Sequence, residues 1–174
     1  VQTLKIAIHD EIEPIILPKL VKHFHQLNLE VQFSSIKLDR KNVPTDLATQ
    51  QIDFVIDLEQ NFTDKIQFKT LVQDQFVVCT QQQSMTAEIY FALPHIGVSS
   101  RRTGVLVEDI YLNRKQLSRQ IFLRCQHYST ALQILAQQAA VILTIPKNML
   151  AHLHMAEGLN IFEVPVELPN INIG

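Results

Sequence analysis

Three short polar segments gather the side chains best able to recognise a small molecule. They are His9-Asp10-Glu11, Ser99-Ser100-Arg101 and Gln126-His127-Tyr128-Ser129. In the second, two hydroxyls sit beside a guanidinium, with Arg102 following. An arginine offers a planar fork of donors that matches a carboxylate. The plainer alternative is a solvated loop whose arginines pair with Glu108 or Asp109. In the third segment Ser129 can be a helix N-cap, since serine is among the preferred caps. Alternatively that helix start and Tyr128 line a pocket, and both readings can hold together. The first segment is either a surface turn or a ligand contact. Its acidic pair disfavours an anion there unless backbone N–H groups do the binding.

Other constellations point less clearly to chemistry. The chain has seven histidines, among them the pairs His23/His25 and His152/His154. Both pairs fall in expected helices, where residues two apart point to different faces. A helical zinc pair needs a spacing of about three or four residues. These histidines therefore read as solvated, and no metal site is expected. Cys79 and Cys125 each lie in an apolar run and read as core thiols. No G-x-S-x-G elbow is present. Asp53 and Asp57 flank a short apolar run and read as its two boundaries, with no acid/base partner identifiable. The residues therefore point to binding, not to an enzyme, and to no cofactor.

Elements must place these segments, and the chain supplies them in alternation. Leu4 to Ile8 alternates as a strand does. Ile16, Leu17, Leu20, Val21, Phe24 and Leu27 lie on one face of a helix from Pro14 to Leu27. Pro14 suits a first turn, while Pro18 either kinks the helix or marks its start. Val31 to Leu38 reads as a strand, Asn42 to Gln51 as a short helix capped by Asn42, and Asp53 to Asp57 as a buried strand. Further strands are expected at Phe68–Val72, Phe76–Thr80, Ile96–Val98, Gln120–Cys125, Ala140–Ile145 and Ile161–Val166. Further helices are expected at Thr86–Leu93, Val105–Asn113, Ser129–Ala139 and Lys147–Ala156. Such alternation implies a mainly parallel sheet covered by helices. The first part and the second follow the same β-α-β logic, so two α/β lobes are expected with a cleft between them. The three polar segments all fall at carboxyl ends of strands, where open α/β sheets bind ligands. Two of them lead into helices, whose N-termini favour anions.

Bulk composition agrees. Of 174 residues, 47% are apolar and 18% charged, which is ordinary for a globular chain able to bury a core. The four glycines argue against glycine-rich phosphate loops. The net charge is −2 and the pI about 6.4, with no basic stripe. A domain that grips DNA by itself is more basic. The start of the chain lacks a secretory pattern and no apolar run is long enough to span a membrane, so a cytoplasmic protein with no membrane partner is expected.

A family resemblance follows from the order of these segments. Leu4 to Ile8 followed by "IILPKLVKHFHQL" resembles the opening of the regulatory domain of LysR-type transcription regulators, with Leu17-Pro18-x-Leu20 as the match. "DLATQQIDFVIDL" is similar to a recurring family segment, with Asp53 at its aspartate and Gln51 in place of the usual glycine. "LVQDQFVVCT", "LPHIGVSSRRTG", "RCQHYSTALQILAQQAAVILTIPKNMLAHL" and "LNIFEVPVELP" resemble later family blocks in the right order. The resemblance implies a fold like type 2 periplasmic binding proteins, with two Rossmann-like lobes joined by two crossover strands. Residues 1–80 would form lobe I, 81–159 lobe II, and 160–174 the return strand to lobe I. It implies an inducer in the cleft, and the polar segments at the strand ends mark His9, Asp10, Glu11, Ser99, Ser100, Arg101, Gln126, His127, Tyr128 and Ser129 as the residues expected to hold it. That inducer would be a small carboxylate or aromatic. It further implies DNA contact only through an N-terminal winged helix-turn-helix lying outside these residues, and a homodimer or tetramer with α-helix Pro14–Leu27 in the contact, although the sequence alone allows the apolar face of that helix to be core. A ligand would act by population shift. The family's usual "HP" is replaced by Gln81-Gln82-Gln83-Ser84-Met85, and its closing strand and helix are not in this sequence. A solute-binding protein of the same fold is the alternative, and an enzyme on that architecture a further one.

Overall fold

The computed structural model describes residues 2–59 and 65–174. The chain divides into two compact units, Val1–Gln73 with Ile171–Gly174, and Asp74–Asn170.

In unit 1 the sequence alternation becomes β1 (Gln2–Ile8), α1 (Glu13–Gln26), β2 (Val31–Lys37), α2 (Val43–Ala48) and β3 (Phe54–Ile56). The three strands run parallel in the order β2-β1-β3. Ile6 stands beside Ser35 and Phe54, so the apolar end of β1 is the centre of the sheet. Ile6, Ala7, Ile8, Ile12, Ile15, Ile16 and Ile56 form the buried core. Parallel strands buried on both faces read as continuous apolar runs, as these do. Pro14 occupies the first turn of α1, as its missing N–H allows, and Pro18 lies inside the helix. Asn42 does not cap α2 with its side chain; its amide donates to Asp39 Oδ2 at 2.7 Å. Asp53 is a strand boundary, its Oδ2 accepting from Lys5 N at 2.9 Å. The strand expected at Phe68–Val72 begins later, as β4 (Val72–Asp74), and pairs with β10 (Ile171–Ile173).

Unit 2 holds β5 (Phe76–Thr80), α3 (Ala87–Ala92), β6 (His95–Val98), α4 (Val107–Arg114), β7 (Ile121–Cys125), α5 (Tyr128–Leu135), β8 (Ile142–Pro146), α6 (Lys147–Ala151) and β9 (Asn160–Glu163). Its sheet order is β7-β6-β8-β5-β9. β6 is parallel to β7 and β8, while β5 is antiparallel to β8 and β9, so the sheet is mixed where a mainly parallel one was expected. β8 is central and wholly buried, which is why Ile142-Leu143-Thr144-Ile145 carries no outward polar face. α6 ends at Ala151, short of the expected Ala156, so His152, its C-cap, and His154 both fall outside the helix. Asp74 is buried beside its start and accepts from Asn148 N at 3.1 Å. Cys79 is buried as expected, but Cys125 is only half-buried, because β7 is an edge strand.

Candidate functional site

Each strand of the parallel sheet in unit 1 delivers one titratable group just past its carboxyl end. β1 is followed by His9, β3 by Asp57, and β2, three residues on, by Arg40. The His9 backbone fixes the turn into α1: its N–H donates to Ile56 O at 3.0 Å and its carbonyl accepts from Ile12 N at 2.9 Å. Its side-chain Nδ1 accepts from Glu11 N at 3.1 Å. An acceptor nitrogen carries no proton, so Nε2 holds the ring proton and the imidazole is neutral. Burial pushes the His9 pKa down and the nearby Arg40 adds to this, while the Asp57, Glu11 and Asp10 carboxylates oppose it. Asp57 is 2% exposed and takes Arg40 in a two-point grip. Its Oδ1 also accepts from Leu58 N at 2.8 Å. Arg40 is therefore committed to an internal carboxylate. Asp10 is exposed and Glu11 half-buried.

Unit 2 brings the other two segments to the same end of two adjacent strands. Ser99 follows β6 and its N–H donates to the carbonyl of Cys125, the last residue of β7, at 2.9 Å. The Ser99 hydroxyl accepts from Arg101 N at 3.1 Å, which curls the loop back on itself. Arg101 Nη2 donates to Val105 O at 2.9 Å, and Arg124 on β7 donates to the carbonyls of Gly104 and Arg101. Arg101 and Arg124 hold the backbone of this loop; neither Glu108 nor Asp109 takes Arg101 in the way the plainer sequence reading had it. At the far end of the loop Leu106 packs on Gly97, where an added Cβ would run into Leu106 Cδ1. Ser100 and Arg102 are exposed.

Gln126 and His127 lead into α5. His127, not Ser129, occupies the N-cap position, in extended backbone with no side-chain cap bond. Ser129 lies one residue inside the helix and is exposed, while Tyr128 is buried. A helix start carries N–H groups with no intrahelical partner and a partial positive charge. In unit 2, Ser99, Ser100, Arg101, Gln126, His127 and the start of α5 thus lie at the carboxyl ends of neighbouring strands. His9, Asp10 and Glu11 hold the equivalent place in unit 1.

Reading the sequence missed Arg40 and Arg124. Neither sits in a motif; each is defined by a carbonyl or carboxylate far along the chain. The one available signal was a buried acid directly after an apolar strand, Asp57, which requires a cation nearby.

Chemically the arrangement holds and orients. The Cys79 thiol is pushed up to about 11 by burial and stays protonated, whereas a nucleophilic cysteine needs the thiolate. Among the described residues no cluster of His, Cys, Asp and Glu could hold a metal ion. A cavity of about 780 Å³ lies in unit 1 and reaches the carboxyl end of β3, where Ile56 and Asp57 line it. Leu4, Leu20, Phe24, Phe33 and Phe54 give it a mainly apolar lining, to which Asp53, Asp57, Lys65 and Lys69 add charged groups.

The whole chain, residues 1–174, matches the LysR substrate binding domain family, and it belongs to that family. It is similar to the HTH-type transcriptional activator NagR of Ralstonia sp., 22% identical over 178 residues, covering 99% of this chain and 59% of the relative. Among solved structures it resembles a probable transcriptional regulator from Pseudomonas aeruginosa, with a TM-score of 0.86, 23% identity, and coverage of 99% of this chain and 60% of that one. The regulatory domain of MexT, a transcriptional activator in Pseudomonas aeruginosa, aligns with a TM-score of 0.81 at 19% identity, covering 99% and 86%. The fold is thus that of LysR regulatory domains, the α/β class like periplasmic binding proteins. The chain spans about three-fifths of the length of NagR and of the first Pseudomonas protein. No described helix is long and apolar enough to cross a membrane.

Proposed function

We propose that this chain is the effector-sensing part of a LysR-type transcription regulator, acting without chemical turnover. The observation that carries the reading is the loop of unit 2, whose backbone is tied by Ser99, Arg101 and Arg124 at the carboxyl ends of two strands, beside the start of α5. Pre-formed polar loops at this place in an α/β sheet are where such folds hold ligands. The ligand is a small organic acid, aliphatic or aromatic. Its acidic group is met by the hydroxyls of Ser99 and Ser100, by Arg101, and by the α5 start with Gln126, His127, Tyr128 and Ser129. On unit 1 the corresponding positions are His9, Asp10 and Glu11, with neutral His9 offering its Nε2–H as a donor.

Contact with DNA belongs to a separate N-terminal domain, since this chain carries a net charge of −2 and no basic stripe. The regulator works in the cytoplasm as a homodimer or tetramer, and the effector shifts the population between two states of that oligomer.

The test is a thermal-shift screen of the domain against aliphatic and aromatic carboxylates, with each compound re-assayed afterwards. A ligand that binds only the folded state at a hundred times its Kd adds about 2.7 kcal/mol of stability. The expected result is a raised Tm, a weaker shift in Ser100→Ala, and ligand recovered unchanged. A compound consumed by the protein would instead make it an enzyme. A Tm raised equally in Ser100→Ala and Gln126→Ala would move the site elsewhere.

A further inference from the structure

Asp57 takes only one edge of the Arg40 guanidinium. Nε and Nη2 face its two carboxylate oxygens at 2.7 Å and 2.8 Å. The third nitrogen, Nη1, makes no hydrogen bond among the described residues and is not sealed from solvent. A guanidinium is flat and rigid, so fixing one edge fixes the direction of the donors on the other. Asp57 suits the role of support. It is 2% exposed, and its Oδ1 also accepts from Leu58 N at 2.8 Å.

His9 begins the turn beside this pair. Its N–H donates at 3.0 Å to the carbonyl of Ile56, the residue before Asp57. Its Nδ1 accepts from Glu11 N at 3.1 Å, which leaves Nε2 as an N–H donor. Nε2 also lacks a partner among the described residues and is not sealed from solvent. Two donors thus stand open where the three strands of unit 1 end. The charges around them decide what they accept. Asp57 offsets Arg40, and Asp10 and Glu11 follow His9 in the same turn. With His9 neutral, one cation stands against three carboxylates. That excess repels a further anion. It does not repel an uncharged oxygen, and a charged donor makes the stronger hydrogen bond to one.

We propose that Arg40, through Nη1 and together with the Nε2–H of His9, binds an uncharged acceptor oxygen of the effector, with Asp57 as the residue that positions the arginine. The effector is then an organic acid that carries a hydroxyl or carbonyl oxygen besides its acidic group. This rests on the effector-sensing reading and narrows it, since the acidic group is assigned to the strand ends of unit 2 and the uncharged oxygen to those of unit 1. The spare edge of a buried ion pair thereby gains a use in selecting among acids of similar size.

Matched sets of probes test this by calorimetry. One set is benzoate, the hydroxybenzoates and phthalate; the other is propanoate, lactate, pyruvate and malonate. In at least one set a hydroxy or oxo acid should bind about ten-fold tighter than its parent acid, and tighter than the dicarboxylate. In Arg40→Lys that ratio should fall close to one, because a single ammonium cannot hold Asp57 and also present a second fixed donor. A merely structural arginine would leave the ratio where it was. An unchanged ratio in Arg40→Lys, or a dicarboxylate as the tightest binder, overturns the proposal. Should Arg40→Lys not fold, the order in the unmodified protein decides: a hydroxy or oxo acid first supports the proposal, and a parent acid or dicarboxylate first overturns it. Acids that bind without preference for the added oxygen overturn this proposal alone. No binding in either set overturns the effector-sensing reading as well.

Discussion

Arg40 reaches across the end of β1 to hold Asp57, its Nε at 2.7 Å from Oδ2 and its Nη2 at 2.8 Å from Oδ1. The strand order β2-β1-β3 places the residue after β2 and the residue after β3 on either side of His9. One ion pair thus closes the carboxyl ends of three strands. It also sets the local electrostatics, because the guanidinium and the carboxylate act on His9 in opposite directions. Because the pair is nearly neutral, burial decides, and the imidazole stays uncharged.

Removing one partner of that pair should cost more than removing both. Asp57 is almost fully buried, while 31% of the Arg40 side chain is exposed, so water screens the arginine but hardly reaches the acid. Arg40→Ala should therefore destabilise the domain by about 2 kcal/mol, below the range for a fully buried pair. Arg40→Met with Asp57→Leu should recover part of this. Urea unfolding of the single and double variants measures the difference, and equal losses in both would show that the pair, once desolvated, carries net stability of its own.

In unit 2 the Tyr90 hydroxyl and Thr144 Oγ1 meet at 2.6 Å, both buried. Tyr90→Phe strands the threonine hydroxyl and should cost about 1–2 kcal/mol. Adding Thr144→Val removes the stranded group and should restore most of that. A double-mutant cycle by urea denaturation should give a coupling of about 1 kcal/mol, and a coupling near zero would mean Thr144 finds another partner.

At Gly97 the constraint is contact with the end of the Leu106 side chain, not backbone angle. The Leu106 side chain occupies the space a Cβ would need. Gly97→Ala should destabilise by about 1–3 kcal/mol through overpacking. Leu106→Ala in the same molecule should give back part of that loss, since it empties the same space. The melting temperatures of the two single variants and the double variant read this out. Additive losses would place the strain elsewhere.

The pattern of elements was legible because it is local. Strand alternation in β1, the apolar stripe of α1 and the continuous run of β8 are each written within about a dozen residues, on the periods that helices and strands impose. The polar segments at strand ends were legible for the same reason, since a strand that stops at Ile8 or Val98 must be followed by something. Partner choice was not. Arg40 and Asp57 are separated by a helix and a strand, and Arg119 selects Asp109 over its neighbour Glu108 only once α4 is docked. β10 lies far from β4 in sequence, and nothing in Ile171-Asn172-Ile173 alone names the strand it joins. Helix ends also shifted: α6 stops at Ala151 although apolar residues continue, and its start is capped by Asp74, more than 70 residues away. Composition is read one residue at a time, but capping and ion pairing are properties of two.

His95 gives the fold an acid limit. The ring is fully buried and its Nε2 bonds the Tyr90 carbonyl, so Nε2 carries the proton and Nδ1 is a buried acceptor. Charging that ring would bury a cation beside Arg119, and its pKa falls to about 4 in the fold from 6.5 in an open chain. The unfolded chain then binds this proton more readily than the folded one. Its contribution is fully present above about pH 6.5 and is lost as the pH falls toward 4, amounting to up to roughly 3 kcal/mol at the bottom of that window. Glu108 works in the opposite sense, because a raised folded pKa favours the fold on the acid side and that advantage fades as the pH rises. In Glu108→Gln the second effect is removed and the first remains. Urea midpoints of that variant should therefore drop more steeply between pH 7 and 5 than those of the unmodified protein. Parallel curves for the two proteins would show that Glu108 is ionised throughout, and a flat curve for both would show that His95 is charged within the fold.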